Sequence, residues 1–209
     1  MIDREQVKAD NNALLHSWGF PVNEALPLLE EESELNPRGA ADVARRCMVL
    51  GYVVGIGFGA DTADLKAALE EWGLWPYTSG RERELLSRIK HSKQERIDIT
   101  WLEECLQSFA WCLGLDELPR LHCCGEELAS KFPEPYTDPA DFIAAAKLRP
   151  FEEIYREADF HYRLHWATRD ARLKNEEFPV SEGLIRERRK ALDWALGVEA
   201  DWDEVPADT

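Results

Sequence analysis

Residues 151–175 read FEEIYREADFHYRLHWATRDARLKN. Apolar and polar positions segregate at helical spacing, which predicts one long amphipathic helix from Phe151 to about Asn175. Downstream, Ser181 has the chemistry of an N-cap, the helix runs to Leu196, and Gly197 stops it. The tail, Val198 to Thr209, is acidic and holds one tryptophan. Upstream, Asp138-Pro139 opens a helix with proline at its first position, and that helix ends before Pro150. Pro119 to Pro139 holds four prolines and reads as loop, with one short helix from Gly125 to Ser130.

The rest of the chain repeats the helical signal. Thr100 is read as the cap of a helix over Trp101 to Leu113, with Glu103 and Glu104 in its first turn and Gly114 after it. Ser79 and Glu82 form a capping-box pair ahead of Leu85, Leu86 and Ile89. Asp61 or Thr62 caps a helix carrying Leu65, Ala68, Leu69 and Trp72. Ala40 to about Ile56 is apolar on nearly all sides and predicts a buried helix. Arg4 to Trp18 is amphipathic and stops at Gly19. No run alternates with the period of a half-buried strand. The expected fold class is all-α. It is one multi-helix domain over residues 1–209, with a subdivision near 119–139 as the alternative.

Composition narrows the function classes. Of 209 residues, 44% are hydrophobic, enough for a core. Lys and Arg number 25 against 41 Asp and Glu, a net charge of -16. That field repels phosphate, so nucleic acid and anionic membrane are not expected partners. The most apolar stretch, Met48 to Ala60, falls short of the ~20 residues that span a bilayer. Met1 to Asn12 has no signal-peptide pattern. Five cysteines, two of them adjacent at Cys123 and Cys124, do not suggest a disulfide framework. A reducing, cytoplasmic setting is the expectation.

Several groups could carry chemistry. Gly55-Ile56-Gly57-Phe58-Gly59-Ala60 has the spacing of a dinucleotide turn, but a helical stretch precedes it, so close helix packing is the reading and no cofactor is expected. Glu157, His161 and His165 lie four apart on one helix face. The intervening residues do not complete a metalloprotease signature, and no metal is expected. Cys105 and Cys112 share a helix face and read as buried small hydrophobes. Arg163, Arg169 and Arg172, with Arg186, Arg188, Arg189 and Lys190, are basic clusters in an acidic chain. They suit a carboxylate or phosphate. The tail acids Glu199, Asp201, Asp203, Glu204 and Asp208 offer them an internal counter-charge instead. Trp72, Trp101, Trp111, Trp166 and Trp194 read as core, while Trp75 and Trp202 read as anchors. Trp101 to Gly114 and Leu184 to Gly197 end alike, with Glu104 to Trp111 spaced as Glu187 is to Trp194.

Three stretches then combine. Tyr162-Arg163-Leu164-His165-Trp166-Ala167-Thr168-Arg169-Asp170-Ala171 is followed by Glu187-Arg188-Arg189-Lys190-Ala191-Leu192-Asp193-Trp194 and by Asp201-Trp202-Asp203-Glu204-Val205 with Asp208-Thr209. With Leu26-Pro27, Arg45, the Trp101…Gly114 helix and Leu148-Arg149, they resemble the bacterial domain of unknown function 4272 family over nearly the whole chain. The resemblance implies a soluble, mainly bacterial cytoplasmic group with no established activity. It marks Arg163, His165, Trp166, Arg169, Asp170, Arg188, Arg189, Trp202, Asp203 and Asp208 as motif positions. A structural role is open to them: Arg163 and Arg169 paired with Asp203 and Asp208, with Trp202 as a plug.

Two functions follow as expectations. One is a non-enzymatic protein acting through contacts, with a partner of basic surface, or with a second copy through an exposed tryptophan. The other is a small-anion binder or enzyme with a polar cleft around Arg163, His165, Arg169 and Asp170.

Overall fold

The computed structural model describes residues 2–206, and every structural statement concerns those residues. Nine α-helices account for the regular structure: α1 (Arg4–Ser17), α2 (Ala40–Gly57), α3 (Thr62–Glu71), α4 (Gly80–Ser87), α5 (Lys93–Thr100), α6 (Glu103–Cys112), α7 (Ala140–Ala145), α8 (Phe151–Lys174) and α9 (Glu182–Leu196). 3-10 helices lie at Trp75–Tyr77, Glu126–Lys131 and Trp202–Glu204. No strand occurs among the described residues, so the fold class is all-α. No helix is long and apolar enough to cross a membrane.

Side-chain caps set most of the helix starts. Asp3, Asp61 and Ser181 accept backbone amides at the heads of α1, α3 and α9. Ser79 and Ser92 each form a full capping box, with Glu82 and Glu95. Both α6 and α9 end on a left-handed glycine, Gly114 at φ 69° and Gly197 at φ 77°. The residue after each glycine donates back five positions: Leu115 to Ala110 at 2.9 Å and Val198 to Asp193 at 3.1 Å. The two similar sequences thus adopt the same stop, and the two helices pack on each other.

One helix start differs from its prediction. Thr100 does not open the Trp101 helix; it is the last residue of α5. The chain turns at Trp101, and α6 starts after Leu102 with no side-chain cap. The sequence of α5, KQERIDIT, is polar, and only Ile99 of it is buried. Its apolar stripe is therefore too thin to announce a helix, although the Ser92-x-x-Glu95 cap was there to be read. α5 instead docks on α2 through the glycine run. A Cβ at Gly57 would stand 2.7 Å from Thr100 Cγ2 and 3.0 Å from the Arg96 carbonyl. The glycine run is therefore a helix contact at the end of α2, with no strand before it.

The core has three parts, joined by helices buried on two sides. Val43, Cys47, Leu50 and Val54 of α2 pack with α6, α8 and α9. Met48, Val49, Val53 and Ile56 of the same helix pack with α3, α4 and α5. Leu15 of α1, Phe160 and Leu164 of α8 and Leu184 and Ile185 of α9 make the third. Each large aliphatic or aromatic side chain so buried contributes about 1.5–3 kcal/mol. Leu118, just before the proline-rich segment, and Leu128 within it join the first part. Of the tryptophans expected in the core, Trp111 and Trp194 are buried; Trp72, Trp101 and Trp166 are half-buried. Trp202 is 5% exposed and lies against Phe109 and Trp194.

Candidate functional site

The motif arginines of α8 and α9 point inward. Arg163 is 2% exposed. It grips Asp159, one turn back on α8, through two bonds of 2.7 Å. Asn11 of α1 donates to the same carboxylate at 2.9 Å. Arg188 is fully buried and pairs with Glu104 of α6 at 2.7 Å. Its remaining donors reach the carbonyls of Pro119 and His122, and the Cys124 amide donates to Glu104 at 3.0 Å. A single buried pair thus fastens the loop over residues 119–124. Arg189 bonds Asp193 at 3.1 Å and lies over the Tyr162 ring. These are charge-assisted contacts in a dry setting, where losing one partner is costly.

This arrangement corrects the expected tail pairing. Arg163 is held by Asp159, not by Asp203; the Asp203 carboxylate accepts the Arg81 amide of α4 at 2.9 Å. Asp208 lies outside the described residues. The internal counter-charge exists, but it comes from neighbouring turns and helices. His165 is 1% exposed, with Nδ1 3.3 Å from Arg189 and Nε2 3.9 Å from Glu182. Burial, and then Arg189, push its pKa down to about 4. Asp170 bonds Lys174 at 2.6 Å, so His165 has other neighbours than Asp170. Trp166 and Arg169 are half-buried on α8.

The histidine stripe has cationic company. His161 is fully buried, beside the Glu157 carbonyl at 3.0 Å, and burial lowers its pKa to about 4. The Glu157 carboxylate is taken by Arg120 at 2.7 Å. No group of three or more His, Cys, Asp or Glu placed to hold a metal occurs among the described residues. Cys105 is buried 3.2 Å from the Glu187 carbonyl, and burial raises its thiol pKa well above the ordinary value. Cys47 and Cys112 are buried free thiols.

Accessible polar space lies on the other side of α9, along the C-terminal segment. One cleft, of about 520 Å³, is bounded by the start of α2, the start of α4 and the end of α9. Arg38, Arg46, Gly80, Trp194 and Trp202 line it. Arg46 pairs with Glu82 and donates to the Tyr77 carbonyl at 3.1 Å. Burial lowers its pKa to about 10. Among the described residues its Nε–H has no partner, and neither has the indole N–H of Trp194. Arg38 donates to the Glu199 carbonyl at 2.7 Å and stacks on Trp194. A second cleft, of about 640 Å³, lies between α4, α5 and α9. Trp202 lines both, with Arg46 at 4.6 Å and Lys190 at 4.4 Å from its ring.

Of the motif positions, Trp202 and Asp203 line these clefts. Arg46, Arg38 and Trp194 were not read as site residues. The signal for Arg46 is faint, because it follows Asp42 and Arg45 in the charged first turns of an apolar helix. Trp194 gave none, because an indole on an apolar stripe looks the same whether or not its N–H is satisfied.

The family model for a domain of unknown function, DUF4272, matches residues 7–205. The chain therefore belongs to that family. No curated protein and no solved structure matches it.

Proposed function

We propose, for a family without an assigned activity, that this chain binds a small anionic ligand, carboxylate- or phosphate-bearing, in the cleft lined by Arg38, Arg46 and Trp194. One observation carries the reading: Arg46 and Trp194, from different helices, both line this cleft, and each carries a buried N–H, Nε and Nε1, that has no partner among the described residues. A buried donor left unpaired costs about 1–3 kcal/mol. An acceptor oxygen there recovers that cost, and the guanidinium groups favour a charged one. The neighbouring Asp203 carboxylate, already on an α4 amide, is an internal instance of the same chemistry.

Calorimetric titration at low salt with inorganic phosphate and with acetate tests it. Saturable binding is expected, with Trp194→Phe weakening it about tenfold by deleting one hydrogen bond to a charged group. No saturable heat, or equal affinity in Trp194→Phe, would overturn it.

A second reading is action through a protein with a basic surface. The net charge of -16 favours it, by steering such a partner. Retention of a specific polypeptide at low salt and its release at moderate salt is the expected result. Self-association through a tryptophan has Trp18, 37% exposed, as its candidate surface. A single monomeric species at high concentration in sedimentation would remove that form.

A further inference from the structure

A third cleft, of about 350 Å³, lies where the end of α2 meets α5. Gly57, His91, Lys93, Arg96, Ile97 and Thr100 line it. Three of the six are basic and none is acidic, in a chain of net charge -16. Arg96 is fixed along the glycine run. Its Nε donates to the Gly57 carbonyl at 3.2 Å, and a Cβ at Gly59 would stand 2.8 Å from its Nη2. Among the described residues neither Arg96 nor Lys93 pairs with a carboxylate. The acids of α5 are engaged elsewhere, Glu95 with Arg88 at 2.7 Å and Asp98 with Gln94 at 2.8 Å. His91 adds an independent sign. Its Nδ1 and Nε2 are both buried, and neither has a partner among the described residues. A neutral imidazole carries one N–H and an imidazolium two, so a donor is left over in either state. Such a donor is costly until an acceptor reaches it.

We propose that this cleft is a second anion site, separate from the first cleft, and that it takes a phosphoryl dianion, as free phosphate or as the end of a small phosphate monoester. Phosphoryl oxygens accept from the His91 ring and from the Arg96 guanidinium, and the Lys93 ammonium supplies a further positive charge. Each added charge on the ligand is attracted by every cation of the lining, so a dianion is favoured over a monocarboxylate. The net charge of the chain opposes any anion. That field is screened over about 8 Å at physiological ionic strength, so the cations lining the cleft decide.

Histidine ring NMR on the full chain tests this. His91 is one of five histidines, and His91→Asn assigns its signals. Inorganic phosphate, phenyl phosphate and acetate are titrated at constant ionic strength and at a pH where the phosphates are dianions. The His91 signals are expected to shift saturably with both phosphates, and acetate to bind about tenfold more weakly. Tighter binding of phenyl phosphate than of phosphate assigns a monoester; equal binding assigns free phosphate. Arg96→Gln is expected to weaken the phosphate response about tenfold, the loss of a hydrogen bond to a charged group. Lys93→Gln, which gives up no contact within the chain, weakens it about threefold. In both variants the other four histidines keep their signals, which shows that the fold is intact. Trp194→Phe leaves the His91 response as it is, which separates this site from the first cleft. His91 signals that do not move with phosphate, five histidines that drift together without saturating, or phosphate affinity indifferent to both Arg96→Gln and Lys93→Gln would overturn the proposal.

Discussion

Arg188 and Lys190 stand two residues apart on α9 and differ in what decides a role. Arg188 is fully buried, with a carboxylate and two carbonyls around it. Lys190 is half-buried, lies on an indole and has no hydrogen-bonding partner among the described residues. The helix turns about 100° per residue, so neighbours in a basic run reach different surfaces. Arg188 meets α6, Arg189 lies over Tyr162 of α8, and Lys190 reaches the open cleft. A basic cluster in sequence is thus three environments in space. The buried rows hold helices and a loop in place; the open clefts are where a ligand can enter.

The largest expected effect breaks the buried row. Arg163→Met leaves Asp159 with Asn11 but without its guanidinium, and is expected to cost about 3–5 kcal/mol in urea unfolding. A loss below about 1 kcal/mol would show that the pair is idle.

Acid sharpens the same contrast. His161 and His165 have folded pKa values of about 4, below the ordinary 6.5. The unfolded chain then binds more protons between those values, so stability falls as pH drops from about 6.5 to about 4. Asp193 runs the other way: burial raises it to about 7, and its contribution is lost as pH rises from about 3.8 to 7. Two histidines outweigh one aspartate over the shared range. Asp193→Asn is expected to steepen the fall on the acid side, by up to about 1.4 kcal/mol per pH unit. Unchanged steepness, read from urea midpoints across pH, would contradict these assignments.

The smallest effect lies in the clefts. Asp203→Asn keeps a hydrogen-bond acceptor for the Arg81 amide and removes the charge at the head of α4. About 0.3–1 kcal/mol is expected, shrinking with salt. A salt-independent loss would mean that the charge is not what matters there.

Much of the frame was legible beforehand. The Ser181 cap and the Gly197 stop bound α9 as read, and Pro150 and Asn175 bracket α8. Caps and breakers act within a few residues, so one sequence is enough to show them. The start of α6 was not legible, because the polar helix before it gave too weak an apolar stripe to separate the two. Of the candidate site, only Trp202 and Asp203 are legible in the sequence; Arg38, Arg46 and Trp194 are not. Which arginine pairs with which acid depends on contacts such as Glu104 with Arg188, 84 residues apart. Periodicity within one helix does not encode them. The unpaired donors of the first cleft belong to the same class, since a missing partner appears only once the elements are packed.

The most direct test compares the two ends of that short basic run. Arg188→Met and Lys190→Met are unfolded in urea side by side with the parent chain. The account predicts a loss of about 3–5 kcal/mol for Arg188→Met, which strands Glu104 and frees the loop over residues 119–124. It predicts less than about 1 kcal/mol for Lys190→Met, which gives up one cation–π contact. Equal losses, or a larger one at Lys190, would contradict the division of α9 into a structural face and an open face.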